Sequence, residues 1–136
     1  MIYGIGTDIV QIKRIVETLA RTPRFAEKIL GADEFIEYQQ RQNSISELRS
    51  LQYLSNRFAA KEAFAKAMRI GMRAPISWQT LQIINDSNGA PMIVTSGDLA
   101  LHMQQNQLQV NVSLSDESDY AIAFVVIENN GKTLHV

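Results

Sequence analysis

The stretch Arg57-Phe58-Ala59-Ala60-Lys61-Glu62-Ala63-Phe64-Ala65-Lys66-Ala67-Met68 leaves this chain few ways to fold. It holds five alanines, no Gly and no Pro, and most of its other residues are straight-chain, so it reads as helix. Leu51, Leu54, Phe58 and Ala65 follow the i, i+3, i+7 spacing of one buried face. Glu62, four residues after Phe58, lies at the edge of that stripe. A carboxylate there stays solvated, finds a cation or is neutralised. Lys66, at i+4, offers an ordinary helix ion pair worth about 0.3–0.5 kcal/mol. A second carboxylate, Asp8, opens another reading, in which the two acids serve one site.

The rest of the composition bounds the answer. The chain has 136 residues, one domain's worth, and is read as a single domain over 1–136 with 129–136 a loose tail. Apolar residues make up 46% and charged residues 20%, enough for an ordinary globular core. There is no Cys, hence neither a disulfide nor a thiolate metal site. No run approaches the roughly 20 apolar residues of a membrane helix. The start, Met1-Ile2-Tyr3-Gly4, lacks the features of a signal peptide. A cytoplasmic location is the expectation. A net charge of -1 argues against a general nucleic-acid binder. Lys13, Arg14, Arg21, Arg24 and Lys28 nevertheless crowd one early segment, with Phe25 and Ile29 as apolar companions. They form either a solvated charged face or a docking surface for an acidic protein.

In chain order, Ile2 to Val10 reads as a strand whose Gly4 and Gly6 let another backbone come close. Asp8 is unusual in a strand. Its two open roles are an N-cap, paired with Gln11 in a loose capping box, and a functional ligand. A helix follows over about 11–20, then the turn at Pro23, and a short helix from Ala32-Asp33-Glu34. Gln39 to Ser46 reads as a polar loop. The long helix spans about Glu47 to Arg69 and ends at Gly71. Trp78 to Asn85 and Pro91 to Thr95 form a hairpin around Asp86-Ser87-Asn88-Gly89. A short helix is capped at Thr95 or Ser96, and His102 reads as a plain surface residue on it. Leu108 to Ser115 alternates as a half-buried strand, Asp116-Glu117-Ser118-Asp119 turns, and Tyr120 to Ile127 is apolar almost throughout. That last strand should be covered on both faces, the second by a helix or a neighbouring subunit. The order fits an α+β fold with the long helix packed on an antiparallel sheet; a mixed sheet is the alternative.

Asp8 and Glu62 together suit Mg²⁺, a hard ion that takes one or two protein carboxylates plus water and phosphate oxygens. Arg57, Lys61 and Lys66 lie within about one turn of Glu62 and are placed to meet phosphates. Phosphate loops, Gly-x-Gly-x-x-Gly and Ser/His/Asp sets are absent from the sequence. An enzyme of phosphate-linked group transfer and a non-catalytic module that binds an acidic protein through Arg14, Arg21 and Arg24 both stay open.

Two blocks decide between them. Gly4-Ile5-Gly6-Thr7-Asp8-Ile9-Val10 and Arg57-Phe58-Ala59-Ala60-Lys61-Glu62-Ala63-Phe64-Ala65-Lys66-Ala67 resemble the signatures of holo-acyl-carrier-protein synthases, the small bacterial 4'-phosphopantetheinyl transferases. Arg24-Phe25-Ala26-Glu27-Lys28-Ile29-Leu30, Asn88-Gly89-Ala90-Pro91 and Val112-Ser113-Leu114-Ser115 with Tyr120-Ala121 match further segments in order. The resemblance implies transfer of 4'-phosphopantetheine from coenzyme A to a serine of acyl carrier protein, releasing adenosine 3',5'-bisphosphate, in fatty acid biosynthesis. It implies Mg²⁺ on Asp8 and Glu62, and coenzyme A met by Arg57, Lys61, Lys66, Gly71, Pro91 and Ser115. It also implies a carrier surface of Arg14, Arg21, Arg24, Phe25 and Lys28, and a homotrimer with sites between subunits. The base is open between a water at the ion and Lys61. The chain departs from the family at Met68-Arg69-Ile70-Gly71, where Phe-Gly-Thr-Gly is common, and at Asp116, where a His is common.

Overall fold

The computed structural model describes residues 1–44 and 46–131. Ten elements follow one another: β1 (Ile2–Gln11), α1 (Ile12–Arg21), α2 (Phe25–Ile29), α3 (Ala32–Ser44), α4 (Glu47–Met68), β2 (Leu81–Asn85), β3 (Pro91–Thr95), α5 (Gly97–Gln105), β4 (Leu108–Asp116) and β5 (Tyr120–Asn129). β1, β5 and β4 form an antiparallel sheet in that order, and β2 with β3 forms a separate antiparallel hairpin. The fold is α+β as expected, and the mixed-sheet alternative falls.

The 22-residue α4 is the axis of the molecule. Its start is capped by the Ser46 hydroxyl, which accepts from the Arg49 amide at 3.1 Å. Its end is Arg69, in the left-handed conformation at φ 71°, not Gly71. Ala59, Ala60, Ala63 and Ala67 are fully buried. These methyl-sized side chains let β1 lie almost on the helix backbone. A Cβ on Gly4 would overlap the Ala67 carbonyl, and one on Gly6 the Ala63 carbonyl. Two strand residues rise about 6.6 Å and four helical residues about 6 Å, so the two elements stay in step. The next inward position of β1 is Asp8, which this register sets level with residues 59–62 of α4.

The sheet is buried on one face only. Ala121, Ala123, Val125 and Ile127 of β5 pack against α4, while Ile122 and Phe124 are 42% and 46% exposed on the other face. The expected cover on both faces is therefore not found within one chain, and no helix supplies it. Three further expectations are corrected. Residues 39–44 continue α3, because Gln and Arg support a solvated helix as well as a loop. Asp8 caps nothing: Gln11 is the N-cap position of α1 and makes no side-chain cap bond. Asn129 ends β5 and Gly131 is buried, so the loose tail does not begin at 129. Residues 132–136 lie outside the described residues.

Candidate active site

Asp8 and Glu62 meet at one cleft. It holds about 310 Å³ and is lined by Asp8, Ile9, Val10, Arg14, Ile15, Thr18, Phe25, Phe58 and Glu62. Each wall has its cause. β1 carries Asp8 on its inner face because residues 4, 6, 8 and 10 share that side, and its neighbour across the sheet is the small Ala123. α4 brings Phe58 and Glu62, one turn apart. α1 brings Arg14, Ile15 and Thr18 on one stripe, and α2 contributes Phe25. Phe58 packs between Phe25, at a centroid distance of 5.9 Å, and Trp78, stacked at 5.6 Å.

The electrostatics are those of an acid pair. Burial raises the proton affinity of Glu62, and the nearby charge of Asp8 raises it further, while Lys66 works the other way. The i, i+4 ion pair of Glu62 with Lys66 is not formed. The Lys66 ammonium instead reaches across to β1, donating to the Thr7 carbonyl at 2.9 Å and to Asp8 Oδ1 at 3.2 Å. Among the described residues no group of three or more acidic, His or Cys side chains is placed to hold a metal. A pair of carboxylates with open, water-accessible space is nevertheless a fitting donor set for a hard cation that keeps water and phosphate in its shell.

Two expected phosphate contacts lie elsewhere. Lys61 is completely buried. Its ammonium donates to Glu34 Oε1 at 2.6 Å, the Ile29 carbonyl at 2.7 Å and the Trp78 carbonyl at 2.7 Å. All three of its hydrogens are thereby used. Glu34, equally buried, also accepts from the amides of Gly31 and Ile83. Burial depresses Lys61 while the Glu34 carboxylate opposes that. Lys61 thus cross-links α4 to Glu34 and to the Ile29 and Trp78 carbonyls, and it does not line the cleft of Asp8 and Glu62. Arg57 is also buried, donating to the Ile83 carbonyl, Asn56 Oδ1 and Asn85 Oδ1, with its guanidinium 4.2 Å from the centre of the Tyr53 ring. It lines a separate cleft with Asp33, Glu37, Tyr53, Ile84 and Asn85. Sequence adjacency misled here, because neighbours along a helix point about 100° apart. Glu34 gave no local signal, since its partner is 27 residues away.

The remaining candidates divide. Arg14 and Phe25 line the cleft. Arg24 and Lys28 flank a shallow groove with Thr22 and Glu27, where Arg24 pairs with Glu27 at 3.0 Å, and Arg21 is exposed at the end of α1. Gly71 is exposed beyond α4, at φ 73°. Pro91 starts β3, and Ser115 lines another cleft with Ile9, Asp116, Glu117, Tyr120 and Ile122. Within one chain, none of Gly71, Pro91 and Ser115 lines the cleft of Asp8 and Glu62. Asp116, where a His is common, accepts from Asn56 Nδ2 at 2.8 Å. Thr18 and Trp78 were not singled out from the sequence; the aromatic stacking of Trp78 on Phe58 needs the tertiary fold to be seen.

Comparison with known proteins agrees with this architecture. The sequence profile of the 4'-phosphopantetheinyl transferase superfamily matches residues 4–125. A holo-[acyl-carrier-protein] synthase of Herminiimonas arsenicoxydans is 50% identical over 129 residues, covering 94% of this chain and 98% of the relative. One from Cupriavidus taiwanensis is 50% identical over 132 residues, covering 96% and 94%. The crystal structure of the Neisseria meningitidis synthase superposes with a TM-score of 0.86 at 40% identity, covering 95% of this chain and all of that one. That of Bacillus anthracis, solved in complex with CoA (3',5'-ADP), gives 0.79 at 32% identity, covering 96% and 99%. A chain matched over nearly its whole length by such relatives is no bare docking module. It belongs to the 4'-phosphopantetheinyl transferase superfamily and, within it, to the holo-[acyl-carrier-protein] synthases.

Proposed function

We propose that this chain transfers 4'-phosphopantetheine from coenzyme A to a serine of apo-acyl carrier protein, with Mg²⁺ held by Asp8 and Glu62. The observation that carries the reading is the convergence of those two carboxylates, from a strand and a helix, on one cleft rimmed by Arg14 and Phe25. When bound, the cation neutralises charge building on the phosphoryl oxygens and holds the reacting groups in line. The serine oxygen attacks the β-phosphorus, the bond to the bridging pyrophosphate oxygen breaks, and adenosine 3',5'-bisphosphate leaves. A water in the cleft is the favoured acceptor of the hydroxyl proton, a reading supported by the three hydrogen bonds that already occupy the buried Lys61 ammonium. Lys66, exposed beside Asp8, serves the coenzyme A phosphates.

Arg14, Arg21, Arg24, Phe25 and Lys28 serve the carrier. Acyl carrier proteins are acidic, and opposite charge speeds encounter in a salt-dependent way. The exposed apolar sheet face supports a homotrimer, in which a neighbouring copy would bring Gly71, Pro91 or Ser115 to the coenzyme A. The proposed reaction belongs to fatty acid synthesis, for which the cytoplasm is the expected place; among the described residues no helix is long and apolar enough to cross a membrane. Mass spectrometry of an apo carrier protein incubated with the protein, coenzyme A and Mg²⁺ tests the reading. The carrier should gain one phosphopantetheine, and the gain should vanish with Asp8→Ala, Glu62→Ala or a chelator. An unmodified carrier defeats the proposed activity, and full activity in either variant defeats the cation assignment.

A further inference from the structure

Among the described residues, Lys66 is the only cationic side chain that forms an ion pair with either cleft carboxylate. It leaves its own helix to do so. The i+4 position would pair it with Glu62, yet its ammonium lies against Asp8 Oδ1 and the Thr7 carbonyl on β1. We infer that Lys66 is a built-in counter-ion: its ammonium occupies Asp8 when no divalent cation is bound, and must leave before such a cation takes both carboxylates. The inference rests on the proposal that Asp8 and Glu62 hold a divalent cation.

Three features fit that role. Asp8 and Glu62 face one cleft as two like charges, so the fold without an ion gains from a resident positive charge. The Lys66 side chain is 55% exposed on a flexible four-carbon stem, against 18% for Asp8. An ion pair that open is weak and easily exchanged. The same stem lets the displaced ammonium swing toward solvent, where a phosphate group beside the cleft would meet it. The cation and a phosphate-bearing ligand would then favour each other, since each relieves the lysine of the other's place, a coupling that is reciprocal by linkage.

The test is a titration of the protein with Mn²⁺, without coenzyme A, following the free-ion signal by electron paramagnetic resonance. Mn²⁺ shares the preference of Mg²⁺ for carboxylate and water oxygens. Lys66→Met keeps the stem and removes the charge, and should bind Mn²⁺ about three- to tenfold tighter than the unaltered protein. Arg69→Gln removes the same charge from a side chain that lies over the Tyr3 ring and not on the acids. Its affinity should stay within about twofold of the unaltered protein. Equal or weaker binding in Lys66→Met overturns the inference and leaves the cation site standing. An equal gain in Arg69→Gln also overturns it, since general charge would then explain the effect. Asp8→Asn should abolish the binding; undiminished affinity there removes the site itself, and the counter-ion with it.

Discussion

At the residue scale, two side chains adjacent in sequence, Lys61 and Glu62, have opposite fates. Lys61 and Glu34 form a pair with no exposed surface, which ties α4 to the α2–α3 junction, to the segment before β2, and through the Ile83 amide to β2 itself. Removing one member strands the other's charge in the core, at a cost of about 3–5 kcal/mol. Lys61→Met and Glu34→Gln should each show this loss in urea unfolding, and the double variant should lose less than the sum by about 1–3 kcal/mol. Strict additivity would show that the two do not act as a pair. Glu62 titrates in the other sense. Burial and Asp8 lift it above its usual value of 4.5, so the fold favours its protonated form. Its contribution to stability is present at acid pH and lost as pH rises through the raised value. In metal-free buffer, Glu62→Gln should therefore melt higher than the unaltered protein at about pH 7.5, with the gap shrinking toward about pH 4. Adding Mg²⁺ should narrow the gap by stabilising only the protein that keeps Glu62. A gap that widens toward acid pH contradicts this account of Glu62. Of this residue-level picture, the sequence disclosed the two acids and the apolar stripe beside Glu62. It concealed the partner of Lys61, because that contact depends on how α3 and α4 roll against each other.

At the scale of elements, the spacing of the site is set by glycine. β1 can lie on α4 only because Gly4 and Gly6 present hydrogen where any other residue would press a carbon into the Ala67 and Ala63 carbonyls. The helix backbone on the other side cannot yield as a flexible side chain would. Gly6→Ala should therefore cost about 1–3 kcal/mol or more, the range of overpacked cores. It should also weaken Mn²⁺ binding, because Asp8 rides on the same strand two residues later. Gly71→Ala makes a fitting control: nothing lies near its Cβ, but its φ of 73° carries a conformational cost of about 1–2 kcal/mol. That variant should bind the ion as before. If Gly6→Ala binds Mn²⁺ normally, the strand-to-helix spacing does not set the site. The permissive glycines of β1, the hairpin at Asn88-Gly89 and the alternation of β4 were legible because each is a local backbone or periodicity signal. The continuation of α3 through Ser44 was not, since a solvated polar helix and a polar loop have the same composition.

At the scale of the whole molecule, the outer face of the sheet is the feature one chain leaves unresolved. In register, Ile9 lies beside Ile122, Thr7 beside Phe124 and Ile5 beside Val126, so the apolar side chains of β1 and β5 form one surface. β4 borders it with Asn111, Ser113 and Ser115, a polar rim. The sequence displayed this surface as a strand apolar at nearly every position, without saying what covers it. Each large apolar side chain covered there would contribute about 1.5–3 kcal/mol, and a cyclic assembly of identical copies is an economical way to cover it. Phe124→Asp places a charge at the middle of the surface, which is solvated in a lone chain and must be desolvated in an assembly. Sedimentation should show the unaltered protein as a trimer and Phe124→Asp as a monomer with unchanged circular dichroism. Ser113→Asp, on the polar rim, should perturb assembly less. The monomer should still bind Mn²⁺, because Asp8 and Glu62 belong to one chain, but should lose phosphopantetheine transfer if neighbouring copies complete the coenzyme A site. A Phe124→Asp protein that remains trimeric refutes this face as the interface. A monomer with full transfer activity would instead place every essential group within a single chain.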